Sequence, residues 1–141
     1  MMSKVARLIL FAIAAALAAT SAAAQTAVPD LRGTWKGESE SILLGGGNPH
    51  HPPAQNEPQL RSVSFTLTVD KQEGRRISGT FSSPRSNETI VAVISRGGTI
   101  FLADDEGYTH GTMLAANRME LCYLHVSAAS RIASCVELTK Q

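Results

Sequence analysis

Residues 62–69 read Ser-Val-Ser-Phe-Thr-Leu-Thr-Val, with Val63, Phe65, Leu67 and Val69 at every second position. Successive side chains of an extended chain point to opposite faces, so this period predicts a half-buried β-strand. The beat continues through "ISGTFSS", "ETIVAVIS", "TIFLA", "YTHGTML", "RMELCYLHV" and "RIASCVELT". Short polar runs separate these stretches: "DKQEGRR", "PRSN", "RGG", "DDEG", "AANR" and "SAAS". With the stretch from Gly33 this gives eight strands, and no helical period appears after residue 24. Short connections make sequential strands antiparallel neighbours. Eight of them can close into an up-and-down barrel, which leaves no exposed edge. The expected fold is therefore all-β: an eight-stranded antiparallel up-and-down β-barrel over residues 32–141, with a two-sheet β-sandwich as the alternative.

Residues 1–24 have the composition of a cleaved leader. Lys4 and Arg7 precede an apolar run that ends in small residues, and Ala22 and Ala24 fit a small-x-small cut before Gln25. No cysteine follows that cut, which disfavours a lipid anchor, and residues 25–31 are expected to form a short tail. Of the 13 basic and 12 acidic residues the leader carries two basic and no acidic ones, so the remaining chain has 11 − 12 = −1. A chain without a basic field is a poor match for nucleic acid. No later segment is long and apolar enough to span a membrane as a helix. A periplasmic or secreted protein is expected.

Export favours an oxidising compartment, and the two cysteines sit where a cross-strand disulfide can form. If Val126 pairs with Arg131 across "SAAS", opposite residues sum to 257 and Cys122 faces Cys135. Met119, Leu121, Tyr123 and His125 then share one face with Ile132, Ser134, Val136 and Leu138, and the cysteines fall on the other, outer face. The same register opposes Glu120 to Glu137, a mildly unfavourable pair.

The phrase "LRGTWKGES" resembles the first strand of the calycin group, which comprises lipocalins, fatty-acid-binding proteins and avidins. The avidin version is the most similar: "GTW" with Ser41 six residues after Trp35, "ISGTFSS" with Phe81 and Ser83, "YLHVS" beginning at Tyr123, and a final "ELTK". The resemblance implies that Trp35, the sole tryptophan, is structural and closes one end of the barrel. It implies ligand contacts for Ser41, Phe81, Ser83 and Tyr123. It also shows departures: Gly37 stands where an Asn is expected, Phe81 lacks a hydroxyl, about Val136 replaces an Asp, and the later tryptophans are missing. Each lost partner would leave a ligand polar group unpaired at about 1–3 kcal/mol. Tight biotin binding is therefore not expected.

Strand one begins away from its following loop, which puts Trp35 at the end opposite "GGGNPHHPPAQNEPQ", with Arg75, Arg76 and Lys140 near it. That loop, residues 45–59, is unusually long for a meander and reads as a lid, a partner-binding loop or an inert excursion. With "PRSN", "DDEG" and "SAAS" it makes one rim, carrying Asn48, His50, His51, Arg85 and Asn87. His50 and His51 with Asp104, Asp105 and Glu106 could suggest a metal, but adjacent histidines rarely address one ion and a solvated rim is the preferred reading. Asn87-Glu88-Thr89 also matches a glycosylation sequon. Tyr108, His110 and Thr112 alternate, as do Tyr123 and His125, and if they face inward they line a cavity with hydrogen-bonding groups. No serine–histidine–carboxylate or Cys–His spacing is legible, so neither catalytic residues, cofactor nor metal are expected and the chain is not expected to be an enzyme. The expected function is an exported barrel that binds a small polar or amphipathic ligand in its mouth. A protein-binding module of the exported protease- or lysozyme-inhibitor type, acting through the rim, and a structural envelope protein remain as alternatives. The partner is then an unknown small molecule or exported protein, and pairing of copies through the barrel faces stays open.

Overall fold

The structure, a computed structural model, describes residues 27–141, so the leader expected over residues 1–24 lies outside the described residues. The strands are β1 (Gly33–Gly45), β2 (Gln55–Arg61), β3 (Ser64–Glu73), β4 (Arg76–Ser82), β5 (Asn87–Ile94), β6 (Ile100–Ala103), β7 (Tyr108–Ala115), β8 (Arg118–Val126) and β9 (Ser130–Lys140). From β3 onward each pairs antiparallel with the next, and β1 closes the sheet against β9.

Nine strands make eight staves. β2 and β3 pair with the same edge of β1 in one register: Ser41 faces Arg61 and Glu38 faces Ser64, both pairs summing to 102. Between them the backbone N–H of Ser39 donates to the Val63 carbonyl (2.9 Å), and the Val63 N–H donates to Ser39 Oγ (3.2 Å). One stave is thus interrupted only at Ser62–Val63. The all-β barrel predicted from the periodicity is the observed architecture, and the alternative sandwich does not form. The long loop is shorter than expected, running from 46 to 54, because Gln55–Arg61 joins β1. Pro58 made this stretch look irregular. Among the described residues β2 pairs only with β1, so a missing N–H on its other edge disrupts no ladder.

Inward positions fill the barrel. Trp35, Leu67, Val69, Ile90, Ile100, Leu121, Val136 and Leu138 belong to one buried cluster. At about 25 cal/mol per Å2 of apolar surface, this burial is the main stabilising term. Leu31, at the end of the expected tail, is also in that cluster, only 2% exposed. It is held by Gln72, whose Oε1 accepts the Leu31 N–H (2.8 Å) and whose Nε2 donates to the Pro29 carbonyl (2.8 Å).

Trp35 lies at this closed end, fully buried. Its indole N–H donates to the Leu31 carbonyl (2.8 Å), and Lys140 Nζ sits 5.3 Å from the ring centroid while donating to the Asp30 carbonyl (3.1 Å). Among the described residues Lys140 is the cation on the ring; Arg75 and Arg76, also expected near this end, do not stack on it. Two residues on, β1 crosses β9 so closely that a Cβ on Gly37 would lie 1.9 Å from the Glu137 carbonyl oxygen. Only glycine fits, which explains the departure from the avidin-like pattern.

Cys122 and Cys135 face each other in the 257 register, Cα atoms 4.1 Å apart, and are joined as a disulfide on the outer face. Glu120 does oppose Glu137, but Arg118 Nε lies 3.3 Å from Glu137 Oε1 and offsets the repulsion.

Trp35→Ala is expected to destabilise the fold by about 3–5 kcal/mol, as a large buried aromatic truncated to a cavity does. Trp35→Phe should lose much less, since it keeps most of the apolar volume. Chemical denaturation of both variants checks this, and equal midpoints for Trp35→Ala and the native chain would contradict it.

Candidate functional site

The opposite end of the barrel is polar. β1 turns Ser39 and Ser41 inward and β9 turns Ser134 inward, all buried. β5 adds Glu88, 7% exposed, and Ser83 follows the end of β4. Loop 46–54 folds down into this mouth. Asn48 Oδ1 accepts the backbone N–H groups of His50 (3.0 Å) and His51 (2.8 Å), a side-chain-made turn that asparagine favours. A Cβ on Gly47 would collide with the His51 carbonyl oxygen at 2.0 Å, so a glycine is required beside the turn.

The result overturns the reading of His50 and His51 as a solvated rim: they are 6% and 2% exposed. The Asn48 turn drives both rings into the barrel. His50 packs edge-on against Phe65 (centroids 5.3 Å, 70°), and Phe65 stacks on Phe81 (4.7 Å, 20°). His51 Nε2 lies 3.1 Å from Ser41 Oγ, which contacts Ser134 Oγ (2.7 Å) and Ser39 Oγ (3.1 Å). Asn48 Oδ1 is an acceptor, so His51 Nδ1–H donates to it (3.3 Å) and Nε2 accepts the Ser41 hydroxyl proton. Burial, with His50 and Arg85 adding to it, pushes the His51 imidazole down to about 4, so it is neutral near pH 7.

His50 joins two other elements. Ser83 Oγ accepts the N–H groups of Arg85 (3.2 Å) and Ser86 (3.3 Å), leaving its own proton for His50 Nδ1 at 2.8 Å. His50 Nε2 then lies 3.3 Å from Glu88 Oε2, without hydrogen-bond alignment. Burial raises the Glu88 carboxyl above its ordinary value, with Asp104 and Glu106 adding to this and the neighbouring His50 opposing it. A serine–histidine–carboxylate run is therefore present where no such spacing was legible in the sequence.

Other candidates divide by strand parity. Phe81 and Tyr123 are half-buried at the mouth. Tyr123 is pushed up to about 12, chiefly by burial, and its hydroxyl lies 3.4 Å from His125 Nδ1. Arg85 and Asn87 stay exposed on the rim. Tyr108 and His110 do not line the interior as the ligand reading required; they point outward, and His110 meets Phe101 at 5.1 Å. The cause is a bulge. At the turn Ala115 faces Arg118, but between Met113 and Ala115 the register slips, so His110 faces Cys122 instead of Tyr123. A one-residue slip sends every side chain to the other face.

The sequence reading missed Ser39 and Glu88 as mouth residues. Glu88 was seen only as the middle of a sequon. Its two-residue spacing from Ile90, Ala92 and Ile94 was the available signal, since those positions share a face.

The His51 shift has a definite sign. The folded chain disfavours the imidazolium, so His51 stabilises fully above the ordinary histidine value of about 6.5 and this contribution is lost as pH falls toward about 4. Glu88, raised, works in reverse: its contribution is present in acid and lost as pH rises through its folded value. The His51 part is therefore the difference between the native chain and His51→Gln. Thermal melts from pH 7 to 4 should fall more steeply for the native chain; parallel curves would contradict the burial of a neutral His51.

No protein-family model matches the chain, and no curated protein matches it. One solved structure is similar: an S-type phycobiliprotein lyase from Guillardia theta, at 12% identity and TM-score 0.39, covering 79% of this chain and 88% of that one. A lyase is an enzyme, and with this neighbour the expectation that the present chain is not an enzyme is withdrawn. At that identity and score the likeness lends this chain neither an activity nor a substrate.

Proposed function

We propose that this chain is an exported binding protein, periplasmic or secreted, that takes a small planar hydrogen-bonding ligand in the barrel mouth with loop 46–54 as its lid. One observation carries the reading: the mouth is floored by buried hydroxyls that are satisfied by the imidazole of a loop. Ser41 bonds both Ser134 and His51, while His50 lies against the Phe65–Phe81 pair. A ring with a donor and an acceptor could replace either imidazole on the same partners. A buried polar site left without a partner costs about 1–3 kcal/mol, so the lid keeps the empty mouth folded. The flanks suit a lid: Gly45, Gly46 and Gly47 on one side, and Pro52 and Pro53 on the other. The disulfide and the leader support an oxidising compartment. Because the loop is turned inward, it does not offer the protruding surface that a protein-inhibitor reading needs.

The Ser83–His50–Glu88 run favours a second reading, hydrolysis of an ester or amide with Ser83 as nucleophile and His50 as base. The Arg85 and Ser86 N–H groups on Ser83 Oγ would stabilise its developing negative charge.

Native mass spectrometry of protein recovered from the cells that make it is expected to show a bound small molecule, depleted in a Ser134→Val variant that stays folded. Ligand-free protein, or equal occupancy in both, would contradict the binding reading. A fluorophosphonate probe separates the two: covalent labelling lost in Ser83→Ala supports hydrolysis, and no labelling removes it.

A further inference from the structure

The outer wall carries apolar side chains that the barrel does not use. Leu60 is 78% exposed, Val126 82%, Tyr108 56%, Leu124 49% and Ile42 46%. They are not scattered. Leu60 faces Ile42, Ile42 faces Ala133, Ala133 faces Leu124, and Leu124 faces Tyr108. The register thus lines up Leu60, Ile42, Ala133, Leu124 and Tyr108 in one row across five strands, about 19 Å wide at the usual strand spacing, with Val126 two residues along β8 beside it on the rim side. Soluble surfaces rarely keep such a contiguous apolar row uncovered.

The charges flanking the row say what covers it. Two residues along β9 from Ala133, on the rim side, stands Arg131; two residues along β1 from Ile42, on the other side, stands Glu40. Both are exposed, and among the described residues neither has an ion-pair partner within the chain. We propose that this face is a two-fold interface with a second copy of the same chain. A two-fold axis lying along the row superposes β9 on β9 and reverses the strand direction. Arg131 of one copy then lies over Cys135 of the other, one strand from its Glu40, because Glu40 and Cys135 are register partners. The arrangement repeats symmetrically, so apolar row meets apolar row and each arginine meets a carboxylate. A face with unlike charges on its two sides complements itself only in this antiparallel sense. The contact is independent of the mouth, since the side chains used point away from it. A single apolar row flanked by one charge pair per side offers few anchors, so a dissociation constant in about the micromolar range is expected.

Sedimentation velocity across a concentration series tests this on protein recovered from the cells that make it, with any processing of its N-terminus complete. A reversible monomer–dimer equilibrium is expected. Leu124→Glu, at an exposed position, should weaken it by about 100-fold or more while the melting temperature holds. Arg131→Glu and Glu40→Arg should each weaken it by about tenfold, and the double variant should recover most of the loss. A native chain that remains monomeric to about 1 mM, the weak limit of useful affinity, would overturn the proposal. So would a dimer indifferent to Leu124→Glu, or a charge-swapped pair no better than either single variant.

Discussion

Everything in this barrel depends on β1 being paired along both edges. On one side it meets β3 and β2; on the other it meets β9 from Trp35–Lys140 to Gly45–Ser130. The second ladder turns a meander into a closed wall, and among the described residues it leaves β2 as the strand with an unpaired edge. The approach is tight enough that Gly37 can carry no side chain. Closure also fixes the inside: once β1 has partners on both sides, the parity of Trp35, Ser39 and Ser41 is settled, and with it the division of the interior into an apolar floor and a polar mouth.

That division is the physical centre of the molecule. At the floor, burial of Trp35 and its neighbours supplies stability, and the segment from Pro29 to Arg32 seals the end through Gln72 and the indole N–H. At the mouth the same fold buries hydroxyls, two imidazoles and a carboxylate, which gain little from burial unless they satisfy one another. The serines of β1 and β9 bond one another, and one loop brings both imidazoles to them and to Ser83. The mouth is therefore the part of the barrel whose contacts a ligand could most readily exchange for its own.

Much of the architecture could be read from local patterns. The alternation of Val63 to Val69 and the spacing of Cys122 and Cys135 about a short turn depend only on residues near in sequence, and strand period and hairpin register are local rules. The site was less legible, for particular reasons. Whether His110 faces inward stayed open because nothing in "YTHGTMLAANR" reveals the bulge at Met113–Ala115 that turns it outward. His50 reaches Ser83 across 33 positions of sequence, and that contact exists only because the loop folds into a closed mouth. Glu88 was legible by its parity with Ile90, but a buried carboxylate is unusual enough that composition argued against it. Pro58 concealed a strand because its place at an unpaired edge is a tertiary fact.

The central claim is that loop 46–54 is a lid, secured in the mouth by polar bonds and able to leave it while the barrel stays folded. Native-state hydrogen exchange tests this directly through the amides of Asn48, His51 and Ala54, which donate to His51, Asn48 and Gly45 carbonyls. The account predicts that they exchange through a local opening, faster than the amides of Leu67 and Leu121 and with little dependence on low denaturant. Exchange of the loop amides only at the free energy of global unfolding would contradict it, and the histidines would then be a permanent plug.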